Sequence, residues 1–234
     1  MKVIILAGGL GTRISEETAD KPKPMVLLND KPILWHIMSI YAKQGYTDFV
    51  IAAGYKGEVI SDWVSTLETK WNIQTINTGL DAQTGGRIKQ CMEMHPGERM
   101  LATYGDGVAN IDINKLLEFH ESHGKLATLT AVHPPARFGY LDVTNGLVQR
   151  FGEKNQSDAG WINGGFFVIE PEVSDLVNSI YEPFETGALP RLVSSGNLMS
   201  FQHDGFWQPM DTLREKEDLA KLAKQATPPW LAGI

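Results

Sequence analysis

A glycine-rich turn near the start of the chain carries the residues best suited to binding phosphate. Residues 7–13 read AGGLGTR and directly follow the apolar run VIIL at 3–6. Glycine lets backbone N–H groups approach an anion closely because no Cβ intervenes. Arg13 ends the turn and Lys23 follows between two prolines, so each adds a full positive charge that attracts phosphate. The pattern predicts a loop that holds the triphosphate of a nucleotide.

Two better-known phosphate loops do not fit this turn. The dinucleotide-binding fingerprint GxGxxG, started at Gly9, requires glycine at the position where the chain has Ile14. The P-loop pattern GxxxxGK[ST], started at Gly8, requires glycine where the chain has Arg13. A glycine-rich turn after a strand can also serve only to reverse the chain. The nearby cations favour phosphate binding over that simpler role.

Two aspartates are predicted to hold a metal ion. Asp106 lies between two glycines directly after the run MLATY at 100–104. A carboxylate at a strand end can coordinate Mg²⁺, which prefers one or two protein carboxylates together with phosphate oxygens and water. Asp211 is the second candidate because it follows the segment FWQPM and precedes a predicted helix. It could instead be the N-cap of that helix, and the two roles are compatible because a cap uses one carboxylate oxygen.

Polar residues in the second half of the chain could contact a second substrate. Lys154 follows Glu153 at the end of a predicted strand, where it could neutralise a phosphate or form a solvated surface pair. Asn163 precedes two glycines, where it could bind sugar hydroxyls or shape a turn. His120 and His123 are predicted to be partly exposed residues of one helix rather than a metal pair. The sequence shows no Ser/His/Asp set or nucleophilic cysteine motif, so it indicates no covalent intermediate.

Composition narrows the class of protein. The 234 residues are 42% hydrophobic and 21% charged, which is typical of a soluble globular protein. No apolar run approaches ~18 residues, so no membrane span is expected. The single cysteine, Cys91, excludes an intramolecular disulfide and, with no secretory leader pattern, fits a cytoplasmic protein. The net charge of −7 argues against nucleic-acid binding but not against a mononucleotide, which needs only local cations.

Strands and helices alternate through residue 124, which predicts βαβ units and a mostly parallel sheet. The predicted strands are residues 3–6, 49–53, 73–77 and 100–104. The predicted N-caps of two intervening helices are Asp30 and Asp112. Ligands of such sheets bind beyond the carboxyl ends of the strands. That rule predicts one crevice formed by Gly54, Asp106 and the segments 8–13 and 84–87.

The alternation ends after residue 124. Predicted strands at 127–132, 139–143, 147–153 and 165–169 follow with few helices between them, and Asn145-Gly146 predicts a hairpin turn. We therefore predict one α/β domain over residues 1–234, with a Rossmann-like, mostly parallel central sheet and helices on both faces. Residues 1–124 are the predicted nucleotide-binding half. Residues 125–234 are the predicted acceptor-binding half, with a smaller mixed β region.

Eight blocks of sequence resemble the sugar-1-phosphate nucleotidyltransferases, and more closely the glucose-1-phosphate cytidylyltransferases. The blocks are LAGGLGTR at 6–13, SEET at 15–18, KPKPM at 21–25, PILWH at 32–36, TGGR at 84–87, YGDG at 104–107, NGGFF at 163–167 and GFWQPMD at 205–211. The first block is typical of the superfamily, whereas SEET and FWQPMD are typical of the cytidylyl branch. The blocks span nearly the whole chain.

The resemblance implies a Mg²⁺-dependent nucleotidyltransferase of sugar-nucleotide and polysaccharide biosynthesis. The implied reaction joins CTP and α-D-glucose 1-phosphate by direct in-line attack and gives CDP-glucose and pyrophosphate. The partners would be these small substrates, with neither nucleic acid nor membrane, and a homo-oligomer is left open. One alternative is a related transferase that uses another nucleotide or phosphorylated acceptor. Another is a non-catalytic nucleotide- or sugar-sensing protein of the same fold.

The resemblance also implies roles for individual residues. The implied catalytic residues are Arg13, Lys23, Asp106 and Asp211, of which the two aspartates would hold the metal. The implied nucleotide-binding residues are Leu6, Ala7, Gly8, Gly9, Gly11, Thr12, Arg13, Lys23, Gly54, Thr84, Gly85, Gly86, Arg87 and Asp106. The implied sugar-phosphate-binding residues are Tyr104, Gly139, Glu153, Lys154, Asn163, Gly164 and Trp207. Two segments depart from the family, since residues 64–76 are shorter and Glu-Lys-Pro is replaced by Glu153-Lys154-Asn155.

Overall fold

The computed structural model describes residues 1–135, 139–153 and 160–234, which form thirteen strands and seven α-helices. The strands are β1 (Lys2–Ala7), β2 (Leu27–Leu28), β3 (Lys31–Pro32), β4 (Asp48–Ala53), β5 (Asn72–Asn77), β6 (Met100–Tyr104), β7 (Gly107–Ala109), β8 (Ala127–Val132), β9 (Gly139–Thr144), β10 (Leu147–Glu153), β11 (Ile162–Ile169), β12 (Leu198–His203) and β13 (Trp207–Pro209). The helices are α1 (Ser15–Thr18), α2 (Ile33–Ala42), α3 (Gly57–Ser65), α4 (Thr84–Glu93), α5 (Ile113–His123), α6 (Ala188–Ser194) and α7 (Leu213–Leu222). Within these ranges, no helix is both long and apolar enough to cross a bilayer.

Seven strands form the central sheet, in the order β12-β8-β11-β6-β1-β4-β5. β1 pairs in parallel with β4 and β6, β4 pairs in parallel with β5, and β12 pairs in parallel with β8. β11 is antiparallel to both of its neighbours, β6 and β8. The prediction of an α/β fold with a mostly parallel sheet is therefore confirmed, and β11 is what makes the sheet mixed.

Helices cover both faces of the sheet, as predicted, because β1 is apolar on both of its sides. Val3 and Ile5 contribute to a core with α2, α5 and α7, whereas Ile4 and Leu6 contribute to a core with α4 and α6. Consecutive strand residues point to opposite faces, so a strand covered on both faces needs an unbroken apolar run. Cys91 of α4 lies in the second core, where burial raises the pKa of its thiol to about 12 and makes it an unreactive packing residue.

Small antiparallel sheets adjoin the central one, and one of them brings distant residues together. β9 and β10 form the predicted hairpin, whose turn residues Asn145 and Gly146 have φ of 50° and 81°. Positive φ at both positions is what a two-residue hairpin turn of this kind requires. β7 pairs with β13, and the backbone N–H of Met210 donates to the carbonyl oxygen of Asp106 at 2.7 Å. This pairing places residue 211 beside residue 106.

The ends of two helices test the predicted N-caps. Asp112 caps α5 by accepting a hydrogen bond from the backbone N–H of Lys115 at 3.0 Å, which confirms that prediction. The prediction for Asp30 is wrong, because α2 begins directly after Pro32 and its N-cap position is that proline. Proline at the edge of a helix lacks only an N–H that would be unpaired there in any case.

The cap interpretation of Asp211 is also wrong. Thr212 is the N-cap of α7, and its hydroxyl accepts a hydrogen bond from the backbone N–H of Glu215. The Glu215 carboxylate accepts in return from the backbone N–H of Thr212 at 2.9 Å, which completes a capping box. Neither carboxylate oxygen of Asp211 takes part in this cap, so both can contact other groups.

His120 differs from its predicted environment. Its side chain is 1% exposed, with ring nitrogens 2.8 Å from the Thr128 hydroxyl and 3.1 Å from a carboxylate oxygen of Glu170. The ring of His123 contacts the same Thr128 hydroxyl at 2.8 Å. The described residues contain no group of three or more His, Cys, Asp or Glu that could hold a metal ion. His120 therefore belongs to a buried hydrogen-bond network, which explains why a polar ring is tolerated there, whereas His123 is partly exposed as predicted.

Thr212→Ala should lower the free energy of unfolding by about 1 kcal/mol, because the N–H of Glu215 loses its side-chain acceptor. Urea unfolding followed by circular dichroism would measure the change. Thr227→Ala makes the same substitution at an exposed residue of the C-terminal segment and should stay within about 0.5 kcal/mol of the parent chain. Equal losses in the two variants would contradict the capping box.

Candidate active site

A buried arginine ties the glycine-rich loop to the sheet. The guanidinium of Arg87, a residue of α4 that is 4% exposed, donates to the carbonyl oxygens of Gly8 at 3.0 Å, Ala53 at 3.1 Å and Gly79 at 3.0 Å. It also donates to the hydroxyl of Thr78. These acceptors lie at or just beyond the ends of β1, β4 and β5, so one side chain joins three strand ends. Burial lowers the pKa of Arg87, but a guanidinium starts high enough to stay charged.

The position of Arg87 explains two of the glycines. A Cβ built on Gly8 or on Gly54 would overlap atoms of the guanidinium. Gly9 differs, because no described atom outside Gly9 and its two chain neighbours lies within 4 Å of its Cβ position. Gly8 and Gly54 are thus needed for packing against the arginine, and Gly9 is the loop position with open space beside it. The predicted contact between this loop and phosphate fits Gly9 best.

The predicted catalytic residues meet in one charged cluster. The ammonium of Lys23 lies 2.7 Å from Oδ2 of Asp106 and 2.8 Å from Oδ1 of Asp211. The second oxygen of Asp211 accepts from the guanidinium of Arg13 at 2.5 Å. Because one ammonium contacts both carboxylates, the two aspartates are close enough to bind the same cation. Their separation in the sequence is overcome by the pairing of β7 with β13.

The electrostatics of the cluster favour the ionised form of Asp211. Burial raises the pKa of the Asp211 carboxyl, but the hydrogen bonds and charges of Lys23 and Arg13 outweigh burial and hold that pKa below its ordinary value. Lys23 has a side chain only 10% exposed, whereas that of Arg13 is 69% exposed. Lys23 is therefore the inner cation of the cluster, and Arg13 lies where it can reach a ligand entering from solvent.

These residues border a cavity of about 720 Å³ at the carboxyl ends of β1 and β6. The residues that line it are 6–13, Lys23, Pro24, Leu80, Ala82, Gln83, Thr84, Arg87, Tyr104, Gly105, Asp106, Asn163 and Glu185. A volume of this order is within the usual range for small-molecule sites. The position agrees with the rule that ligands of parallel sheets bind beyond the strand ends.

The cavity brings together many, but not all, of the sequence-predicted site residues. Those that line it are Leu6, Ala7, Gly8, Gly9, Gly11, Thr12, Arg13, Lys23, Thr84, Arg87, Tyr104, Asp106 and Asn163. Gly54 and Asp211 contact lining residues without being part of the lining. Gly85 and Gly86 pack instead against the backbone of residues 180–184, where a Cβ would collide with carbonyl groups.

The remaining predictions concern the acceptor substrate. Asn163 donates to the hydroxyl of Tyr104 at 3.0 Å and accepts from the N–H of Gly165 at 2.9 Å, so it both shapes a turn and lines the cavity. The carbonyl oxygen of Gly164 accepts from the indole N–H of Trp207 at 2.8 Å. Gly139 and Glu153 are paired across β9 and β10. Lys154 lies outside the described residues.

Several lining residues were not anticipated from the sequence. They are Pro24, Leu80, Ala82, Gln83, Gly105 and Glu185. The segment 80–83 directly precedes the predicted TGGR motif, and Gly105 lies inside YGDG, so a wider reading of those motifs would have included them. Glu185 belongs to no recognised motif and reaches the cavity only through the tertiary fold.

Comparison with known proteins agrees with this geometry. The family described as Nucleotidyl transferase matches residues 2–218. The chain is 47% identical to a glucose-1-phosphate cytidylyltransferase of Salmonella typhimurium over 98% of both chains. It is 39% identical to a probable glucose-1-phosphate cytidylyltransferase of Bacillus subtilis over 98% of this chain and 99% of that one. The crystal structure of HddC from Yersinia pseudotuberculosis complexed with GMP-PN superposes with a TM-score of 0.77 at 25% identity, covering 95% of this chain and 99% of that chain.

Gly8→Ala should destabilise the protein by about 1–3 kcal/mol, because the new methyl group must displace the Arg87 guanidinium. Gly9→Ala is the matched control one residue along the same loop, and its methyl group enters open space. We expect the control to stay within about 0.5 kcal/mol of the parent chain. Urea unfolding of both variants measures the difference, and equal destabilisation would show that the arginine does not set the glycine requirement.

Proposed function

The chain belongs to the nucleotidyl transferase family, and from this premise we propose that it transfers a cytidylyl group from CTP to α-D-glucose 1-phosphate. The products are CDP-glucose and pyrophosphate. The observation that carries the proposal is the meeting of Asp106, Asp211, Lys23 and Arg13 beside one cavity. The choice of CTP and glucose 1-phosphate follows the 47% identity to the Salmonella typhimurium enzyme over nearly the whole chain.

The cavity suggests how the substrates would be divided between the two halves of the chain. Residues 1–124 supply the loop 6–13, the start of α4 and Asp106, which would bind the nucleotide. Thr84 and Arg87 are proposed to lie near the base and ribose. Residues 125–234 supply Asn163, which could accept or donate hydrogen bonds to sugar hydroxyls. Lys154 is proposed to bind the phosphate of the acceptor.

The reaction itself needs no protein nucleophile. An oxygen of the acceptor phosphate attacks the α-phosphorus of CTP in line, and the bond to the pyrophosphate group breaks on the opposite side. Catalysis of such a step consists of aligning the two groups and offsetting the charge that develops between them. Arg13 would bind the departing pyrophosphate, and Lys23 would bind oxygens of the α-phosphate where negative charge increases.

The donor set fits a magnesium ion. Asp106 and Asp211 provide hard carboxylate oxygens. The Lys23 ammonium contacts one oxygen of each, which supports a cation shared by both. The four charged side chains of the cluster sum to zero, so two incoming phosphorylated substrates bring negative charge that the protein cluster does not offset. A Mg²⁺ ion held by the two carboxylates would supply the missing positive charge. We propose that these two aspartates hold it.

A second candidate is the same chemistry with another nucleotide or phosphorylated acceptor. HddC, which shares the fold at 25% identity, was solved with GMP-PN. The cavity residues proposed to bind phosphate do not contact the base, so they are equally compatible with a cytidine and a guanosine nucleotide. A non-catalytic sensor of the same fold is less well supported, because the cations and carboxylates that the transfer requires are all present.

We propose that the enzyme is cytoplasmic, because its only cysteine is a buried free thiol and such a chain needs no oxidising compartment to fold.

Substrate choice can be measured directly. Purified protein with Mg²⁺ should release pyrophosphate fastest when CTP and α-D-glucose 1-phosphate are supplied together. A matrix of four nucleoside triphosphates against several sugar 1-phosphates is the test, with each nucleotide alone as the blank. Faster release with another pair would identify the second candidate, and release with no pair would refute the transferase.

Asp106→Asn should lower kcat by about 10² or more, because the substitution removes a metal ligand and a charge while preserving shape. Turnover as a function of Mg²⁺ concentration is the measurement. Asp175→Asn makes the same change at an exposed residue outside the cavity and should leave turnover unchanged. Near-normal kcat for Asp106→Asn at limiting Mg²⁺ would falsify the proposed metal site.

A further inference from the structure

We propose that Glu185 is a positioning residue for nucleotidyl transfer, because its carboxylate joins two walls of the cavity. One wall is α4, whose first residue is Thr84. The other wall is the end of β6, where Tyr104 lies two positions before Asp106. The inference rests on the proposed function, since that function supplies the reaction whose groups are positioned. Glu185 itself comes from the segment between β11 and α6.

Each oxygen of the carboxylate accepts one hydrogen bond from a different wall. The hydroxyl of Thr84 donates to Oε2 at 2.6 Å, and the hydroxyl of Tyr104 donates to Oε1 at 2.5 Å. Both donors and Glu185 line the same cavity as the glycine-rich loop and Asp106. The link therefore joins the helix proposed to bind the nucleotide to the strand end that lies two residues before Asp106, the proposed metal ligand.

The surroundings of both hydroxyls require an acceptor at this position. The Thr84 oxygen already accepts from the backbone N–H of Phe184 at 2.8 Å. The Tyr104 oxygen already accepts from the side-chain amide of Asn163 at 3.0 Å. Each hydroxyl thus has its single hydrogen left to donate, and a carboxylate can accept both. Glutamine at this position has one acceptor oxygen, so it would leave one of the two hydroxyl hydrogens facing an amide donor.

Other contacts also fix the Tyr104 ring, so its hydrogen bond to Glu185 joins the carboxylate to a side chain with a defined position. Its ring packs edge-on against Phe167, with centroids 5.7 Å apart, and lies where a Cβ on Gly165 would collide with it. Gly165 has a φ of +79°, a conformation that glycine adopts at little cost. Burial and then the negative charge of Glu185 raise the pKa of the Tyr104 phenol, which therefore stays protonated and keeps donating.

The reaction is sensitive to such a link because it depends on alignment. A displacement of about 1 Å between reacting groups can cost about 10² in rate even when the altered residue is remote from the reacting atoms. Glu185 is exposed, so its removal should affect the overall fold less than it affects the relation between the two walls. These properties distinguish a positioning residue from a residue that only supports folding.

The test compares Glu185→Gln with Glu172→Gln, which makes the same change at an exposed glutamate outside the cavity. We expect Glu185→Gln to lower kcat by about tenfold while both KM values change by less than about threefold. A rise in the KM for glucose 1-phosphate with kcat unchanged would overturn the inference, because it would mean that Glu185 binds substrate directly. Equal kcat in the two variants would overturn it as well.

A double variant tests whether Glu185 acts through Tyr104. Tyr104→Phe removes the hydroxyl that donates to the carboxylate. If the two residues form one link, adding Tyr104→Phe to Glu185→Gln should lower kcat by less than about twofold further. Losses that multiply would show that the residues act independently and would contradict the link.

Hydrogen exchange provides a readout that needs no turnover. Amides in segments 84–87 and 104–106 should exchange about threefold faster or more in Glu185→Gln than in Glu172→Gln, since both walls lose a restraint. Unchanged exchange in both segments would overturn the inference. If the parent chain failed to turn over CTP and glucose 1-phosphate, the proposed function would fail, and the exchange measurement would still decide whether Glu185 joins the walls.

Discussion

The charge balance around Lys23 is the constraint on which the rest of the site depends. Its ammonium is largely removed from water and contacts one oxygen of Asp106 and one of Asp211. A buried ammonium without such partners would lose its hydration without compensation, which is unfavourable by several kcal/mol in proteins. The fold must therefore bring three distant segments to one place. It does so with the short 3₁₀ turn at Lys23, the end of β6 and the pairing of β7 with β13.

Arg87 is a second buried cation, and different partners replace its lost hydration. Its guanidinium is satisfied by backbone carbonyls and a hydroxyl, which are neutral acceptors. Its positive charge is therefore not cancelled by these partners and remains part of the field beneath the glycine-rich loop. The Lys23 cluster, by contrast, is locally balanced by carboxylates.

The sequence predicts the sheet and the crevice well because both depend on local signals. The unbroken apolar runs predict buried parallel strands, and the rule for strand ends then locates the cavity. The cap assigned to Asp211 was wrong because its neighbour Thr212 heads the pattern TLRE, a capping-box signature that was present in the sequence. The burial of His120 depends on Thr128 and Glu170, whose contact with it is set only by the tertiary fold. Glu185 could not be found for the same reason, since its partners lie about 80 to 100 positions away.

The pairing of β7 with β13 determines when, during synthesis of the chain, the charged cluster can become complete. A ribosome releases Asp106 into solution long before it releases the strand that places Asp211 beside it. Until then Lys23 lacks one of its two carboxylates, and the core that Val3 and Ile5 share with α7 is incomplete. No shortened translation product that stops before β13 can acquire the complete charged cluster, because Asp211 follows that strand.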